Sequence, residues 1–183
     1  MKQRISIHIG EYHASREPVV IQTLLGSCVA VCLYDPVEKI GGMNHILLPG
    51  KADMKHFNEP ARYGINAMEL LINRIMSLGG IRRRLVAKVF GGAHVLAAIS
   101  KENGTGKKIA AFVGEFLRTE SIRVASHDVG GRNTRKIFFH TDTGDVFLKR
   151  IQPTVFPSLV YKEREELEKV RKLLERPGDT TLF

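Results

Sequence analysis

Cysteine is scarce in this chain of 183 residues, since only Cys28 and Cys32 are present. The two lie four residues apart in an apolar, β-branched run that predicts a strand. In a strand, residues four apart point to the same face about 13 Å from each other, and a disulfide needs Cα atoms within about 7 Å. We therefore expect both thiols to be reduced.

Long apolar runs are also missing. No stretch approaches the ~18 apolar residues that would span a bilayer, and residues 1–8 alternate polar and apolar side chains instead of forming the apolar core of a secretory signal. With 43% hydrophobic and 26% charged residues, the composition is that of a globular protein. We expect a cytoplasmic protein without direct membrane insertion.

Acidic residues are the minority, with 19 Asp and Glu against 28 Lys and Arg, and the whole surplus of +9 lies in residues 51–150. Such a surplus favours an acidic partner, either a polyanion or an acidic protein surface. Nucleic acid is disfavoured, because the run Arg82-Arg83-Arg84 and the pair Lys107-Lys108 lack interleaved aromatic residues and a helix-turn-helix pattern.

Metal-ligand spacing is absent as well. None of the seven histidines forms a close His-x-x-x-His pair with an acid, and Cys-x-x-x-Cys on a strand is poor zinc spacing. The glycines of Phe90-Gly91-Gly92-Ala93-His94 lack the Lys-Ser/Thr pair of a phosphate loop, so they indicate a tight turn. We expect neither a metal nor a cofactor. The histidines are His8, His13, His45, His56, His94, His127 and His140.

Periodicity predicts an α+β protein: a layered sandwich with a mixed, mainly antiparallel sheet and two to three packed helices. Residues 1–155 form the predicted domain, and residues 156–183 a charged amphipathic helix with a mobile tail. A hairpin joins residues 137–140 to 146–148. The predicted strands are 3–9, 19–24, 28–34, 40–48, 85–91, 121–127, 135–141 and 145–151. The predicted helices are 61–78, 109–117 and 158–174.

Cys28 is the candidate nucleophile, because Gly26-Ser27 places it after a small, flexible pair where backbone N–H groups can face a cleft and hold an oxyanion. A thiolate is reactive at neutral pH when a neighbour lowers its pKa, and a histidine within hydrogen-bond reach can do so. Antiparallel pairing about residues 36–37 would set Cys28 opposite positions 44–46, so its side chain and that of His45 could meet on one face. An inert core cysteine is the alternative, and these residues alone leave the two about equally supported.

The sequence is similar to the chemoreceptor glutamine deamidase family, CheD, of bacterial and archaeal chemotaxis. The resemblance spans about residues 5–151. Its motifs are Gly10-Glu11-Tyr12, Leu25-Gly26-Ser27-Cys28-Val29-Ala30-Val31, Gly42-Met43-Asn44-His45-Ile46-Leu47-Leu48-Pro49, Arg62-Tyr63-Gly64, Ala87-Lys88-Val89-Phe90-Gly91-Gly92-Ala93 and Asp128-Val129-Gly130-Gly131 with Arg135.

The resemblance implies a cysteine-dependent hydrolase that converts receptor glutamines to glutamates and releases ammonia. Cys28 would form a thioester, and His45 would act as acid and base. The family's histidine-orienting residue falls on Thr23 or, by a one-residue difference in spacing, on Gln22. Gly26, Ser27 and Asn44 would provide oxyanion or nearby support.

The implied partners are the cytoplasmic helical region of chemoreceptors and, in some organisms, a CheC-type phosphatase that competes with the receptor. A non-catalytic adaptor that binds the receptor or that phosphatase is the alternative function. For the last helix, packing on its own domain is favoured over binding a partner.

Overall fold

The computed structural model describes residues 2–48, 64–94 and 104–152, together with residues 161, 162, 164–166, 168 and 169. Residues 61–63 of the first predicted helix lie outside the described residues, as do residues 158–160 and 170–183 of the predicted last helix and tail. Within the described parts of the chain, no helix has the length and apolar content needed to cross a membrane.

Nine strands form two sheets in the described residues, whereas the sequence predicts eight strands. The unpredicted strand is β2, which is four residues long and lies at a sheet edge, so its sequence carries almost no alternation. The strands are β1 Gln3–Ser6, β2 Tyr12–Ser15, β3 Val19–Leu25, β4 Val29–Asp35, β5 Ile40–Ile46, β6 Val86–Gly91, β7 Arg123–Val129, β8 Thr134–His140 and β9 Val146–Ile151.

The sheets are mixed and mainly antiparallel. One has the order β1-β3-β8-β9 and the other β2-β5-β4-β6-β7. Only the β1–β3 and β6–β7 pairs are parallel among the pairs described. The predicted hairpin is confirmed, since β8 and β9 pair antiparallel with Phe139 opposite Val146.

Two helices cover one face of the five-stranded sheet: α1, Gly64–Ser77, and α2, Thr105–Thr119. Helix α2 begins four residues before the predicted start, because its first turn, Thr105-Gly106-Lys107-Lys108, contains no apolar residue to reveal the period. The three arginines Arg82–Arg84 form a short 3₁₀ turn before β6.

The layers therefore run sheet, sheet, helices, which confirms the predicted layered α+β class but divides the strands between two sheets. A helix-side core lies between α1, α2 and the five-stranded sheet, and an inter-sheet core lies between the sheets. Burying each large apolar side chain contributes about 1.5–3 kcal/mol. The inter-sheet core consists of Ile7, Val19, Ile21, Leu25, Cys28, Ala30, Cys32, Met43, Leu47, Phe90, Ile137 and Phe139.

Candidate functional site

The chain crosses from one sheet to the other in three residues, Gly26-Ser27-Cys28. Strand β3 of the four-stranded sheet ends at Leu25, and β4 of the five-stranded sheet begins at Val29. Cys28 is fully buried in the inter-sheet core. The sequence predicts Cys28 as the first residue of a strand over 28–34, after a small pair; in the structure that strand begins one residue later, at Val29.

A glycine turn after β6 fastens this crossing. Gly92 N–H donates to the Cys28 carbonyl at 2.7 Å, and Ala93 N–H donates to the Gly26 carbonyl at 2.8 Å. At Gly91 the backbone has φ +111°, and a Cβ there would collide with the Cys28 carbonyl oxygen. Glycine is required because the two backbones approach so closely. The turn that the sequence predicts at Gly91-Gly92 therefore positions the cysteine.

His45 lies on the same face of the five-stranded sheet as Cys28. In the β4–β5 ladder His45 is opposite Ala30, and Cys28 directly precedes the first pair, so the ladder is shifted from the predicted register. The face is nevertheless the predicted one. Met43 and Leu47 lie two residues to either side of His45 and therefore share its face, and both belong to the inter-sheet core with Cys28. Cys28 and His45 are thus diagonal neighbours across the pair, a separation of about 7–8 Å at Cα that an imidazole can span.

Thr23 joins the opposite sheet to this histidine. Its Oγ1 donates to the Ile7 carbonyl at 2.8 Å and lies 2.9 Å from His45 Nδ1. A hydroxyl has one hydrogen, and Ile7 receives it, so Oγ1 must accept a hydrogen bond from Nδ1–H. That assignment leaves Nε2 of His45 as the basic nitrogen.

The sequence left open whether Thr23 or Gln22 contacts His45, and the structure distinguishes the two. Adjacent strand residues point to opposite faces. Gln22 accordingly faces away from the inter-sheet core, and its Nε2 donates to Ser6 Oγ at 2.8 Å. Thr23 is therefore the residue that contacts His45.

The imidazole of His45 is held neutral. Burial, reinforced by the positive charge that His8 can carry, lowers the pKa of His45 from 6.5 to about 3. Its Nε2 atom is buried and has no hydrogen-bond partner among the described residues. A neutral imidazole with an available lone pair, fixed by Thr23, is equipped to take up a proton.

Asn44 is turned away from this site. Its side chain points to the helix face, where Oδ1 accepts from Val31 N–H at 3.0 Å and Nδ2 donates to the Ala67 carbonyl at 3.1 Å. The structure does not bring Asn44 to the position that the sequence interpretation gave it, because residues next to each other in β5 face opposite layers. Asn44 instead fastens α1 to the sheet.

Several charged groups outside the site form ion pairs with one another. Arg82 bonds Glu69 and Glu120, while Arg84 bonds the buried Asp35. Two of the three consecutive arginines are therefore engaged within the fold. In the part of the chain that the structure describes, no group of three His, Cys, Asp or Glu side chains is arranged to hold a metal ion.

One contributor escaped sequence reasoning. The segment between β1 and β2 supplies the Ile7 carbonyl that accepts the hydroxyl hydrogen of Thr23. The same segment holds the backbone of His45, since Gly10 N–H donates to the His45 carbonyl and His45 N–H donates to the Glu11 carbonyl. Backbone groups carry these contacts, so no side-chain pattern could reveal them.

Fold and site together define a class: an α+β two-sheet protein whose sheet crossing presents a buried cysteine near a neutral histidine that a threonine orients. These are the parts that thiol hydrolases use, a nucleophile, a proton acceptor and an orienting group.

Comparison with known proteins identifies the family. The family model described as CheD chemotactic sensory transduction matches residues 47–150, more than half of the chain. A relative from Shewanella oneidensis, named a probable chemoreceptor glutamine deamidase CheD 1, is 45% identical over 100% of this chain and 88% of its own length. Relatives named probable chemoreceptor glutamine deamidase CheD from Methylobacillus flagellatus and Thiobacillus denitrificans are each 42% identical over 95% of this chain and 86% of their own length. The chain belongs to the CheD family.

Proposed function

We propose that this chain is a protein-glutamine deamidase of chemotaxis, which hydrolyses the side-chain amide of receptor glutamines to glutamate and ammonia. The relatives' names supply the substrate class. The observation that carries the chemistry is the Thr23–His45 hydrogen bond on the core face that Cys28 shares.

In the first step His45 Nε2 takes the proton of the Cys28 thiol, and the sulfur attacks the carboxamide carbon. Thr23 keeps Nδ1 protonated, so the lone pair is on Nε2. The thiolate and the imidazolium form together as an ion pair, which reduces the cost of charge in a buried site. The carbonyl π electrons move to oxygen, giving a tetrahedral oxyanion.

The crossing is suited to stabilise that oxyanion. The Gly26 carbonyl points to Ala93, and in a trans peptide the N–H of Ser27 lies on the opposite side of the same plane. Backbone N–H donors held close to a developing oxyanion in a water-excluded site are among the strongest contributors to its stabilisation. Gly26 and Ser27 thus act through their shared peptide unit.

Collapse of the intermediate breaks the carbon–nitrogen bond as imidazolium His45 gives its proton to the leaving nitrogen. Ammonia departs and a Cys28 thioester remains. His45, neutral again, removes a proton from water, whose oxygen attacks the thioester. The carboxylate of glutamate leaves, and Cys28 regains its proton.

The partner we propose is the cytoplasmic helical region of a chemoreceptor, which places the reaction in the cytoplasm. The net charge of +9 favours attraction to a helix rich in glutamate. A CheC-type phosphatase is a second proposed partner, on family resemblance alone.

The test is incubation with a receptor cytoplasmic fragment, followed by peptide mass spectrometry that counts glutamines converted to glutamates. Wild-type protein is expected to convert specific glutamines, and Cys28→Ala none. A Cys28→Ala variant that binds the fragment as tightly as wild type, beside a wild type that converts nothing, would instead support the adaptor function.

A further inference from the structure

Arg135 is a buried cation that the proposed chemistry does not use. It lies in β8 of the four-stranded sheet, directly opposite Leu25, the last residue of β3 before the crossing. Its side chain is 4% exposed and points to the inter-sheet core, because Ile137 and Phe139, two and four residues further along β8, belong to that core. A buried arginine needs a partner, since burying an unpaired charge is costly.

The partner is Asp128, which lies in β7 of the five-stranded sheet and is opposite Phe90 in β6. Arg135 Nη2 donates to Asp128 Oδ1 at 2.8 Å, and Arg150 Nη2 donates to Oδ2 of the same carboxylate at 2.6 Å. Burial would raise the pKa of Asp128, but hydrogen bonds and charges from the two arginines lower it below its usual value. An ionised carboxylate therefore joins the two sheets at the end where the chain crosses between them.

The guanidinium of Arg135 also holds the turn between β7 and β8. Its Nη2 donates to the Gly130 carbonyl at 2.7 Å, and its Nη1 donates to the Asn133 carbonyl at 3.0 Å. Gly130 and Gly131 have φ of +78° and +72°, a backbone conformation that glycine adopts readily and other residues rarely do. One planar group bonds a carboxylate and two carbonyls at once, which fixes their relative positions.

The β7–β8 turn is bonded to the glycine turn after β6. Gly130 N–H donates to the Gly91 carbonyl at 2.9 Å, and His94 N–H donates to the Gly131 carbonyl at 2.8 Å. These two bonds hold the two ends of the glycine turn, whose middle residues are the ones that bond the crossing.

The middle residues are Gly92 and Ala93, whose N–H groups donate to the Cys28 and Gly26 carbonyls. A displacement of the glycine turn therefore moves the backbone of the nucleophile. It also tilts the peptide unit that presents the Ser27 N–H, because the carbonyl of that unit is the acceptor for Ala93.

We propose that Arg135 is a positioning residue for Cys28: with Asp128 it holds the β7–β8 turn, which holds the glycine turn, which sets the backbone of the nucleophile. This inference rests on the proposed deamidase function and gives a role in it to a residue distant in sequence from Cys28. Stability alone does not account for the arrangement, because the desolvation of a buried ion pair offsets much of its attraction. The fork of hydrogen bonds instead specifies one geometry.

The first variant is Arg135→Lys, which keeps the positive charge but cannot bond three acceptors with the geometry of the fork. We expect kcat for a receptor fragment to fall about 10- to 100-fold, since a misplacement of about 1 Å can cost about 100-fold in rate. KM should keep its wild-type value, because the lost interaction serves the transition state. Peptide mass spectrometry measures both constants, at a temperature where urea unfolding shows each protein to be folded.

Asp128→Asn is the milder second variant, and it carries the test if Arg135→Lys does not fold. It keeps an acceptor oxygen for Arg135 and removes the charge, so kcat is expected to fall about tenfold with KM unchanged. A wild-type kcat in either variant, once folded, would overturn the positioning role.

Two matched controls make the same chemical change elsewhere. Arg150→Lys alters the other arginine on the Asp128 carboxylate, whose side chain is 59% exposed. Arg82→Lys alters the pairs with Glu69 and Glu120, at the opposite end of β6 from the glycine turn. Both should keep the wild-type kcat, and Arg82→Lys should lower the urea midpoint. A loss of kcat in either control as large as in Arg135→Lys would show that any lost ion pair has this effect and would refute the role.

Amide hydrogen exchange tests the coupling of Arg135 to the crossing without relying on the reaction. The amides of Gly92 and Ala93 should exchange at least about tenfold faster in Arg135→Lys, the factor that loss of a charge-assisted hydrogen bond gives. Amides in the middle of β4 should keep their wild-type rates. Equal rates at Gly92 and Ala93 in Arg135→Lys and wild type would refute the coupling.

The two readouts separate this inference from the proposed function. If wild type converts receptor glutamines and Arg135→Lys does so with the same kcat, the positioning role is refuted and the deamidase function stands. If wild type converts none, the deamidase function fails, and exchange at Gly92 and Ala93 still decides whether Arg135 positions the Cys28 backbone.

Discussion

Cys28 and Cys32 occupy the two ends of one stretch of the inter-sheet core, and their comparison shows what makes a thiol useful. Both are free and buried, at 0% and 1% exposure, and both face the opposite sheet. Cys32 lies mid-strand, opposite Met43 in the ladder, and burial raises the pKa of its thiol. Cys28 lies at the sheet crossing, on the face that carries His45. Burial alone therefore makes a thiol inert. What distinguishes Cys28 from Cys32 is the histidine on its face of the sheet.

The sheet crossing can assemble a site because each sheet contributes a side chain there. Thr23 comes from β3 of one sheet and His45 from β5 of the other, and their hydrogen bond spans the gap between layers. Around Cys32 the corresponding positions belong to the apolar core, with Phe139 nearby on the same cleft lining. Burying this polar pair costs less because Thr23 and His45 hydrogen-bond each other.

The largest expected effect concerns the two cysteines directly. Cys28→Ala should lower kcat/KM for a receptor fragment at least about 1,000-fold, since loss of a nucleophile removes the covalent route. Cys32→Ala should keep kcat/KM near wild type and lower the free energy of unfolding by about 1 kcal/mol, as a small core truncation does. Steady-state kinetics and urea unfolding measure the two. Comparable losses of activity in both variants would erase the distinction between the cysteines.

A smaller effect is expected at Thr23. Thr23→Val keeps the shape but removes the hydroxyl that holds His45 Nδ1–H, and loss of such an orienting partner typically costs about 10–100-fold in activity. The loss should appear in kcat, and Thr23→Ser should restore most of it.

Gln22→Ala is the matched control, because Gln22 bonds Ser6 on the outer face. Its kcat should be that of wild type. A kcat for Thr23→Val equal to that of Gln22→Ala would show that Thr23 has no orienting role.

Local patterns predicted much of this molecule. The Thr143-Gly144-Asp145 turn between alternating runs located the β8–β9 hairpin. Antiparallel pairing across the short connection after Tyr34 predicted that Cys28 and His45 could meet on one face. The sequence predicts Cys28 opposite positions 44–46, whereas the ladder pairs Ala30 with His45. Because side chains alternate with a period of two, a shift of two residues leaves every side chain on its face.

Features that depend on contacts distant in sequence were beyond these patterns. Whether Thr23 or Gln22 meets His45 depends on which face of β3 is covered by the second sheet, and nothing local in the sequence states that. Asn44 is next to His45 in sequence, yet its side chain hydrogen-bonds helix α1, because adjacent residues in a strand point to opposite faces of the sheet.

The smallest expected effect per unit change is the pH dependence of stability that His45 confers. Its pKa is 6.5 as an ordinary group and about 3 in the fold, so below pH 6.5 the unfolded chain binds a proton that the folded chain excludes. The free energy of unfolding should therefore fall as the pH falls from about 6.5, by at most about 1.4 kcal/mol per pH unit. Urea unfolding of wild type and His45→Gln at several pH values between about 7 and 5 measures this slope. His45→Gln should flatten the curve. Identical slopes in the two proteins would mean that the histidine next to Thr23 is protonated in the fold, unlike the neutral base that distinguishes the surroundings of Cys28 from those of Cys32.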